Sequence, residues 1–341
     1  MLKRVIEKPR TVSICLTVAT LFVFQSGRLR AQQAPAGQPK TAALRVAKDD
    51  STVSIFAGSK PLLVYSYNHV PKKPYVKQLW SPEGVGVLRD SPHDHKHHHA
   101  LMFALAVDGV DFWSENPACG RQQHRRLGAV ETTAQDGFAR ATFTQRLDWT
   151  RPDSDKTLIC EQRTIEVWRG EGLQATLLSW CSRLQPPEGR ESANLTGSHY
   201  FGLGLRFVQS MDAGGRFFNA DDDPGRVVRG RERLVRSKWC AYRARAGDKS
   251  VTVALFDHPD NYRHPARIFT MSGPFAYLSA TLNLWKEPLT VRAGEPLVLR
   301  YGVVLCDGRA EAPLIEKLYR RWTGKPVADR KPVWPRNLAR R

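Results

Sequence analysis

Five of the chain's ten histidines fall between His93 and His99, in the run HDHKHHH. Neutral imidazoles bind transition metals, and near pH 6.5 they exchange protons, so this density points to acid–base or metal-assisted chemistry. In an extended segment His93, His95, His97 and His99 share one face, and His98 takes the other. His95 and His98 are the leading proton-transfer candidates; His95, His97 and His98 are the candidate ligands of a divalent metal. The run lacks the spacing of a known zinc motif such as HExxH, so the cofactor, if any, stays unknown at this stage. The competing reading is a solvated, histidine-rich loop.

Downstream, Gly109-Val110-Asp111-Phe112-Trp113-Ser114-Glu115-Asn116 supplies an indole and a carboxylate. An indole face is a platform for the apolar face of a sugar ring, and Glu115 beside imidazoles has the chemistry of a general base. The bland alternative puts Trp113 in the core and Glu115 in solvent. His124 opens a strand-like segment. His199 and Tyr200 sit among glycines in Gly197–Gly204, where a ligand or backbone can approach closely. His258, Asn261 and Arg263 lie in a polar loop after a clear strand, a usual place for binding groups. The expected catalytic set is therefore His95, His98, Glu115 and His199, with Trp113, His124, Tyr200, His258, Asn261 and Arg263 contacting substrate. Turn chemistry and edge polarity are the alternatives for each of these loops. The sequence has no GxSxG, no P-loop, no GxGxxG opening a helix and no CxxC. It thus gives no warrant for a serine hydrolase, an NTPase, a dinucleotide enzyme or a thioredoxin.

The elements that must position these residues follow a period of two. From Ala139 to Trp149, apolar Ala139, Ala141, Phe143, Leu147 and Trp149 alternate with polar residues, the pattern of a half-buried strand. Val251, Val253 and Leu255 alternate likewise, and residues 289–305 read as two strands about Ala293-Gly294. Further strands are predicted at 52–57, 61–67, 75–80, 100–107, 124–134, 197–208, 237–244 and 275–284. One helix is predicted over 311–322, where Leu314, Leu318 and Trp322 recur every four residues, before Gly324 and Pro326. Many strands, one helix and no fixed-period repeat predict an all-β fold: a large antiparallel β-sandwich with one C-terminal helix.

The chain has 341 residues, 41% hydrophobic and 9% aromatic, enough to build a sizeable core. Lys3, Arg4, Lys8 and Arg10 precede the uncharged apolar run Val12–Phe24, and Ala31 is a small residue at a plausible cut. That order predicts a signal peptide over 1–31 and an exported, periplasmic or extracellular protein; an uncleaved anchor is the alternative. Residues 32–43 read as a flexible linker, 44–325 as one sandwich domain and 326–341 as a basic tail. No apolar run of about 20 residues follows the first 31, so no further span is expected. The net charge is +19, but the basic residues are scattered; with export this argues against nucleic acid and for an acidic polymer or anionic surface. Five cysteines follow residue 31. A hairpin centred on Gly170-Glu171 would set Cys160 opposite Cys181, in place for a cross-strand disulfide; two buried thiols are the alternative.

The order of motifs resembles the exported bacterial family labelled methane oxygenase PmoA-like. The resemblance rests on Ser81-Pro82-Glu83-Gly84, on Arg89 to His99, on Gly109-Val110-Asp111-Phe112-Trp113, and on His199 to Arg206. Trp239-Cys240, His258-Pro259 with Asn261 and Arg263, Pro274-Phe275, and Leu299 to Gly308 support it. The chain departs from the pattern at Lys96 and at His99-Ala100. The resemblance implies a fold similar to the large sandwich of aldose mutarotases. With the residues above, it frames a carbohydrate-active protein that uses a histidine-rich pocket on a small or polymeric sugar. A non-catalytic carbohydrate-binding protein is the alternative, and the family label adds a metal-dependent oxidative function as a third.

Overall fold

The computed structural model describes residues 43–324, apart from 136, 171 and 172. The expected signal peptide, most of the linker and the basic tail lie outside the described residues.

Two large antiparallel sheets form a sandwich. One has ten strands, in the order Arg45–Lys48, Thr52–Ala57, Lys60–Ser66, Tyr75–Leu79, Leu101–Ala104, Gly202–Arg206, Ala276–Thr281, Arg267–Ser272, Glu232–Arg236, Arg226–Val227. The other runs Arg216–Asn219, Trp239–Ala246, Lys249–Asp257, Leu297–Asp307, Ala175–Gln185, Thr157–Gly170, Phe138–Thr150, Arg121–Leu127, and Glu131–Gln135 also pairs with Phe138–Thr150. A small four-stranded sheet joins Leu289–Arg292, Ser192–Thr196, Ala106–Val107 and Val110–Asp111.

Alternation decides which residues fill the space between the large sheets. Phe143 and Trp149 from one meet Tyr65, Phe103 and Phe112 from the other side, with ring centroids 5.0–6.0 Å apart. The nine-stranded sheet is also covered on its outer face, where Trp168, Ala241, Phe256 and Val304 pack under the helix Ala312–Thr323. That helix starts with Pro at its first turn, buries Ile315, Leu318, Tyr319 and Trp322, and carries Arg320 and Arg321 in its last turn, where cations suit the helix dipole. Trp322 is fully buried and donates to Ser179 Oγ at 2.7 Å. A buried indole of this kind stabilises by roughly 2–3 kcal/mol.

Several expected elements change. The 124–134 strand is two, Arg121–Leu127 and Glu131–Gln135, split at Gly128. The 197–208 strand shortens to Gly202–Arg206, because residues 198–200 form a turn that closes with Phe201 N donating to Ser198 O. Cys160 lies opposite Gln185, and Cys181 opposite Thr164. The hairpin turns two residues later than its Gly170-Glu171 reading, so the two cysteines sit four residues out of register, ~13 Å along the sheet. They form no disulfide. Among the described residues no helix is long and apolar enough to cross a membrane.

Candidate functional site

Strand register lays the floor of a cavity. Arg206 pairs with Tyr277, Tyr277 with Met271, and Met271 with Glu232, a single rung across four strands of the ten-stranded sheet. The next rung runs Tyr75, Met102, Gly204, Ser279, Phe269, Leu234. These residues have the opposite parity to Phe103, which meets Trp149 of the other sheet. The cavity therefore lies on the face turned away from the sandwich core. Gly204 is required there: a β-carbon on it would fall 2.0 Å from the Tyr277 hydroxyl.

The histidine run forms one wall, and it is a turn rather than a strand. Pro92 fixes its start; His95 N donates to Pro92 O, and His98 N to His95 O, at 3.0 and 2.9 Å. Asp90 bridges His99, and Ser91 and Ala100 take positive φ of 45° and 46° at the two ends of the loop. Three-residue steps bring His95 and His98 together, with rings stacked 4.7 Å apart at 28°. His97 closes the trio, 4.5 Å from His98 and 5.7 Å from His95. His93 is exposed, and His99 turns inward.

The cavity has a volume of about 520 Å³, within the range of small-molecule sites. Its walls are His95, His97 and His98, the rings of Trp113, Tyr200, Phe269, Phe275 and Tyr277, and a polar rim that includes Arg229, Arg231 and Glu232. Trp113 stacks on Phe201 at 5.0 Å and 8°, which holds the indole upright. Three polar atoms on these walls are buried without a partner: His98 Nδ1, Trp113 Nε1 and the Tyr277 hydroxyl. Buried polar groups are nearly always hydrogen-bonded, so three orphans on one cavity require an explanation.

The imidazoles differ sharply in electrostatics. Burial pushes His98 down to about 2, reinforced by His97, His95 and Arg206, so its ring is neutral at any ordinary pH. His97 is lowered too, by burial and then by Lys73 and His95. His95 is about one-third exposed, and its Nδ1 lies 3.1 Å from Asp94 Oδ2. Burial acts to raise Asp94, but the hydrogen bond from His95 and the charge of Arg206 outweigh it and keep the carboxyl ionised.

Behind this wall runs a buried ionic chain. Lys73 Nζ meets Glu115 Oε1 at 2.8 Å, Glu115 Oε1 meets His99 Nε2 at 2.9 Å, and His99 Nδ1 meets Asp90 Oδ1 at 2.8 Å. Tyr75 donates to the other oxygen of Asp90 at 2.8 Å. Burial works against a charged His99, yet its bonds to Asp90 and Glu115 raise its pKa. Glu115 falls below the usual carboxylate value, because His99 and Lys73 outweigh burial. Burial lowers Lys73, and Glu115 offsets only part of that.

The structure brings His95, His97, His98, Trp113 and Tyr200 to one cavity. His199 stands beside it, its Nε2 3.2 Å from Glu232 Oε2. Other expected residues lie elsewhere. Glu115 is committed to Lys73 and His99 and does not line the cavity. His124 faces a separate hollow with Tyr67 and Lys72, where its Nδ1 accepts from Gln145, because strand Arg121–Leu127 belongs to the other sheet. His258, Asn261 and Arg263 build a turn. His258 packs on Trp322, Asn261 bonds Asp257 and the Arg300 backbone, and Arg263 caps the carbonyls of Leu282 and Glu287. The expected metal set is not arranged as ligands: among the described residues no three His, Cys, Asp or Glu side chains group for a metal ion. Sequence reasoning missed Phe269, Tyr277 and Glu232, which only the strand register brings together. Phe275 was visible in the Pro274-Phe275 motif, without a role.

Similar solved structures include an α-galactosidase from Lactobacillus brevis, at 7% identity and TM-score 0.42, over 80% of this chain and 40% of that one. The GH36 α-galactosidase AgaB from Geobacillus stearothermophilus matches at 12% identity and TM-score 0.46, over 78% and 41%. A TPR-domain containing protein from Parabacteroides distasonis matches at 9% identity and TM-score 0.37, over 77% and 48%. The chain thus spans less than half the length of each. No curated protein matches the sequence. None of these matches carries the PmoA-like label that the motif order suggested. The model of a family of unknown function, DUF6807, matches residues 52–320, from the second strand into the C-terminal helix, and the chain belongs to that family.

Proposed function

We propose that this protein is an exported, carbohydrate-active protein that holds a sugar ring in the cavity beside His95, His97 and His98 and transfers a proton there. The observation that carries this reading is the trio of orphaned polar atoms among aromatic faces: His98 Nδ1, Trp113 Nε1 and the Tyr277 hydroxyl. A sugar has complementary chemistry. Its hydroxyls donate and accept hydrogen bonds, and its C–H faces pack on aromatic walls such as the half-buried ring of Tyr200.

His95 is the proton-transfer residue in this reading. With Nδ1–H donated to Asp94, its Nε2 carries the free lone pair. It is reachable from solvent, whereas His98 is too deeply buried to take up a proton. His98 and Tyr277 then act as neutral hydrogen-bond partners that orient the ring. His199 and Glu232 present a second imidazole–carboxylate pair at the rim.

The test is a thermal-shift and NMR turnover screen with D-glucose, D-galactose, D-mannose, N-acetyl-D-glucosamine and D-galacturonic acid. At least one sugar is expected to raise the melting temperature and to be altered by the wild type. The variant His95→Gln should retain binding and lose at least about a hundredfold in rate, the usual worth of a positioned acid–base group. Binding without turnover would replace proton transfer with simple sugar binding. Absence of any stabilising sugar would overturn the assignment.

A further inference from the structure

Single exposed apolar side chains are ordinary, but a large aromatic one close to a cavity is a candidate ligand contact. Among the described residues three are exposed: Val227, Tyr262 and Trp285. Trp285 differs from the others in its neighbours. It is 38% exposed, lies in the loop between strands Ala276–Thr281 and Leu289–Arg292, and does not line the cavity itself. Its ring stands 5.9 Å from His199. His199 in turn stands 5.0 Å from Tyr200, and Tyr200 5.3 Å from Trp113. A continuous ladder of rings thus leads from the buried indole in the cavity to an open indole outside it.

The polar groups along this ladder run the same way. His199 bonds Glu232, which also bonds Arg229 at the rim. Arg231 also lines the rim. The Lys286 ammonium lies over the Trp285 ring, 4.8 Å from its centroid. A lysine held by one exposed cation–π contact is displaced at little cost.

We infer that Trp285 is a second sugar-stacking site, so that the ligand is an oligosaccharide with one unit in the cavity and the next lying across the Trp285 indole. This rests on the reading of the cavity as a sugar site. It extends that reading by a unit count and by a residue outside the cavity. An open indole gives area to any pyranose face without demanding particular hydroxyls. The outer site should therefore raise affinity with chain length and discriminate weakly among sugars.

The experiment is calorimetric titration of the full chain with matched probes: D-glucose with cellobiose and maltose, D-mannose with mannobiose, and D-galacturonic acid with digalacturonic acid. For at least one pair, the disaccharide should bind the wild type roughly tenfold more tightly than the monosaccharide, the scale of one aromatic contact. Trp285→Ala should abolish that gain and leave the monosaccharide affinity within about twofold, and Trp285→Phe should keep most of the gain. A disaccharide that binds no tighter than its monosaccharide, or a gain that survives in Trp285→Ala, overturns the second site and leaves the cavity reading intact. If no monosaccharide and no disaccharide binds the wild type, both readings fall. Trp285 is 38% exposed and belongs to neither hydrophobic core cluster, and Trp285→Phe controls for packing, so the variants remain a fair test.

Discussion

His98 should make the protein less stable in mild acid, by an amount that the structure sets. Its ring is buried among Tyr277, Phe275, Trp113 and His95. Burial lowers its pKa from an ordinary value of 6.5 to about 2. Above pH 6.5 the ring is neutral in both folded and unfolded chains, and it adds no pH dependence. Between 6.5 and about 2 the unfolded ring takes up a proton that the folded ring refuses, so stability falls as pH falls. Below about 2 both states bind the proton and the slope vanishes. The loss is about 1.4 kcal/mol per pH unit below 6.5, or roughly 2 kcal/mol at pH 5.0. The assay is urea denaturation of the wild type and of His98→Gln at pH 7.5 and 5.0. Between those two values the wild type should lose about 2 kcal/mol more than the variant. His97, also lowered by burial, is present in both proteins, so the difference isolates His98. Equal losses in the two proteins would mean that His98 can protonate in place, and the assignment of a neutral, ligand-orienting ring would fail with it.

Two further outcomes follow from the packing. Gly204→Ala drives a methyl group to 2.0 Å from the Tyr277 hydroxyl, and overpacking of this kind costs about 1–3 kcal/mol. A thermal melt should show that loss, and adding Tyr277→Phe should recover part of it; a Gly204→Ala protein as stable as wild type would contradict the geometry. Lys73→Met leaves Glu115 with His99 alone and should cost about 3 kcal/mol in chemical denaturation. Glu115→Gln in that background should restore some of the loss; a neutral single variant would show that the pair contributes nothing.

Much of the sandwich is legible in the sequence, where one face of a strand meets the core and the other meets solvent. Phe138–Thr150 is read within a residue of its ends because Phe143, Leu147 and Trp149 alternate with Thr144, Arg146 and Asp148. The helix over Ala312–Thr323 is equally plain from its apolar stripe and its glycine stop. Strand Arg267–Ser272 escaped, since Ile268 packs in the core while Phe269 and Met271 line the cavity; covered on both faces, it shows no alternation. The site follows the same logic. The density of histidine announced a polar locus. Its turn geometry depended on Pro92 and on positive φ at Ser91 and Ala100, which no periodicity encodes. The separation of Glu115 from the cavity depended on Lys73, a fully buried lysine forty-two residues upstream that nothing local marks.

Of three consecutive imidazoles, His97 and His98 are lowered and His99 is raised, and the backbone turn separates their surroundings. His98 and His99 point to opposite sides of the chain where the loop closes on Asp90. His99 meets two carboxylates, Asp90 and Glu115, whose hydrogen bonds raise its pKa against the effect of burial. His98 meets rings and orphaned polar atoms; burial opposes its protonation first, and the nearby His97, His95, Arg206 and Lys73 add to it. The ionic chain therefore does more than fill the interior. Burial lowers His97, and Lys73, a cation committed to Glu115, lowers it further. A neutral imidazole such as His98 can both donate and accept a hydrogen bond, whereas an imidazolium only donates. The electrostatics of His97 and His98 are thus set in part from behind the cavity wall, by the charge of Lys73.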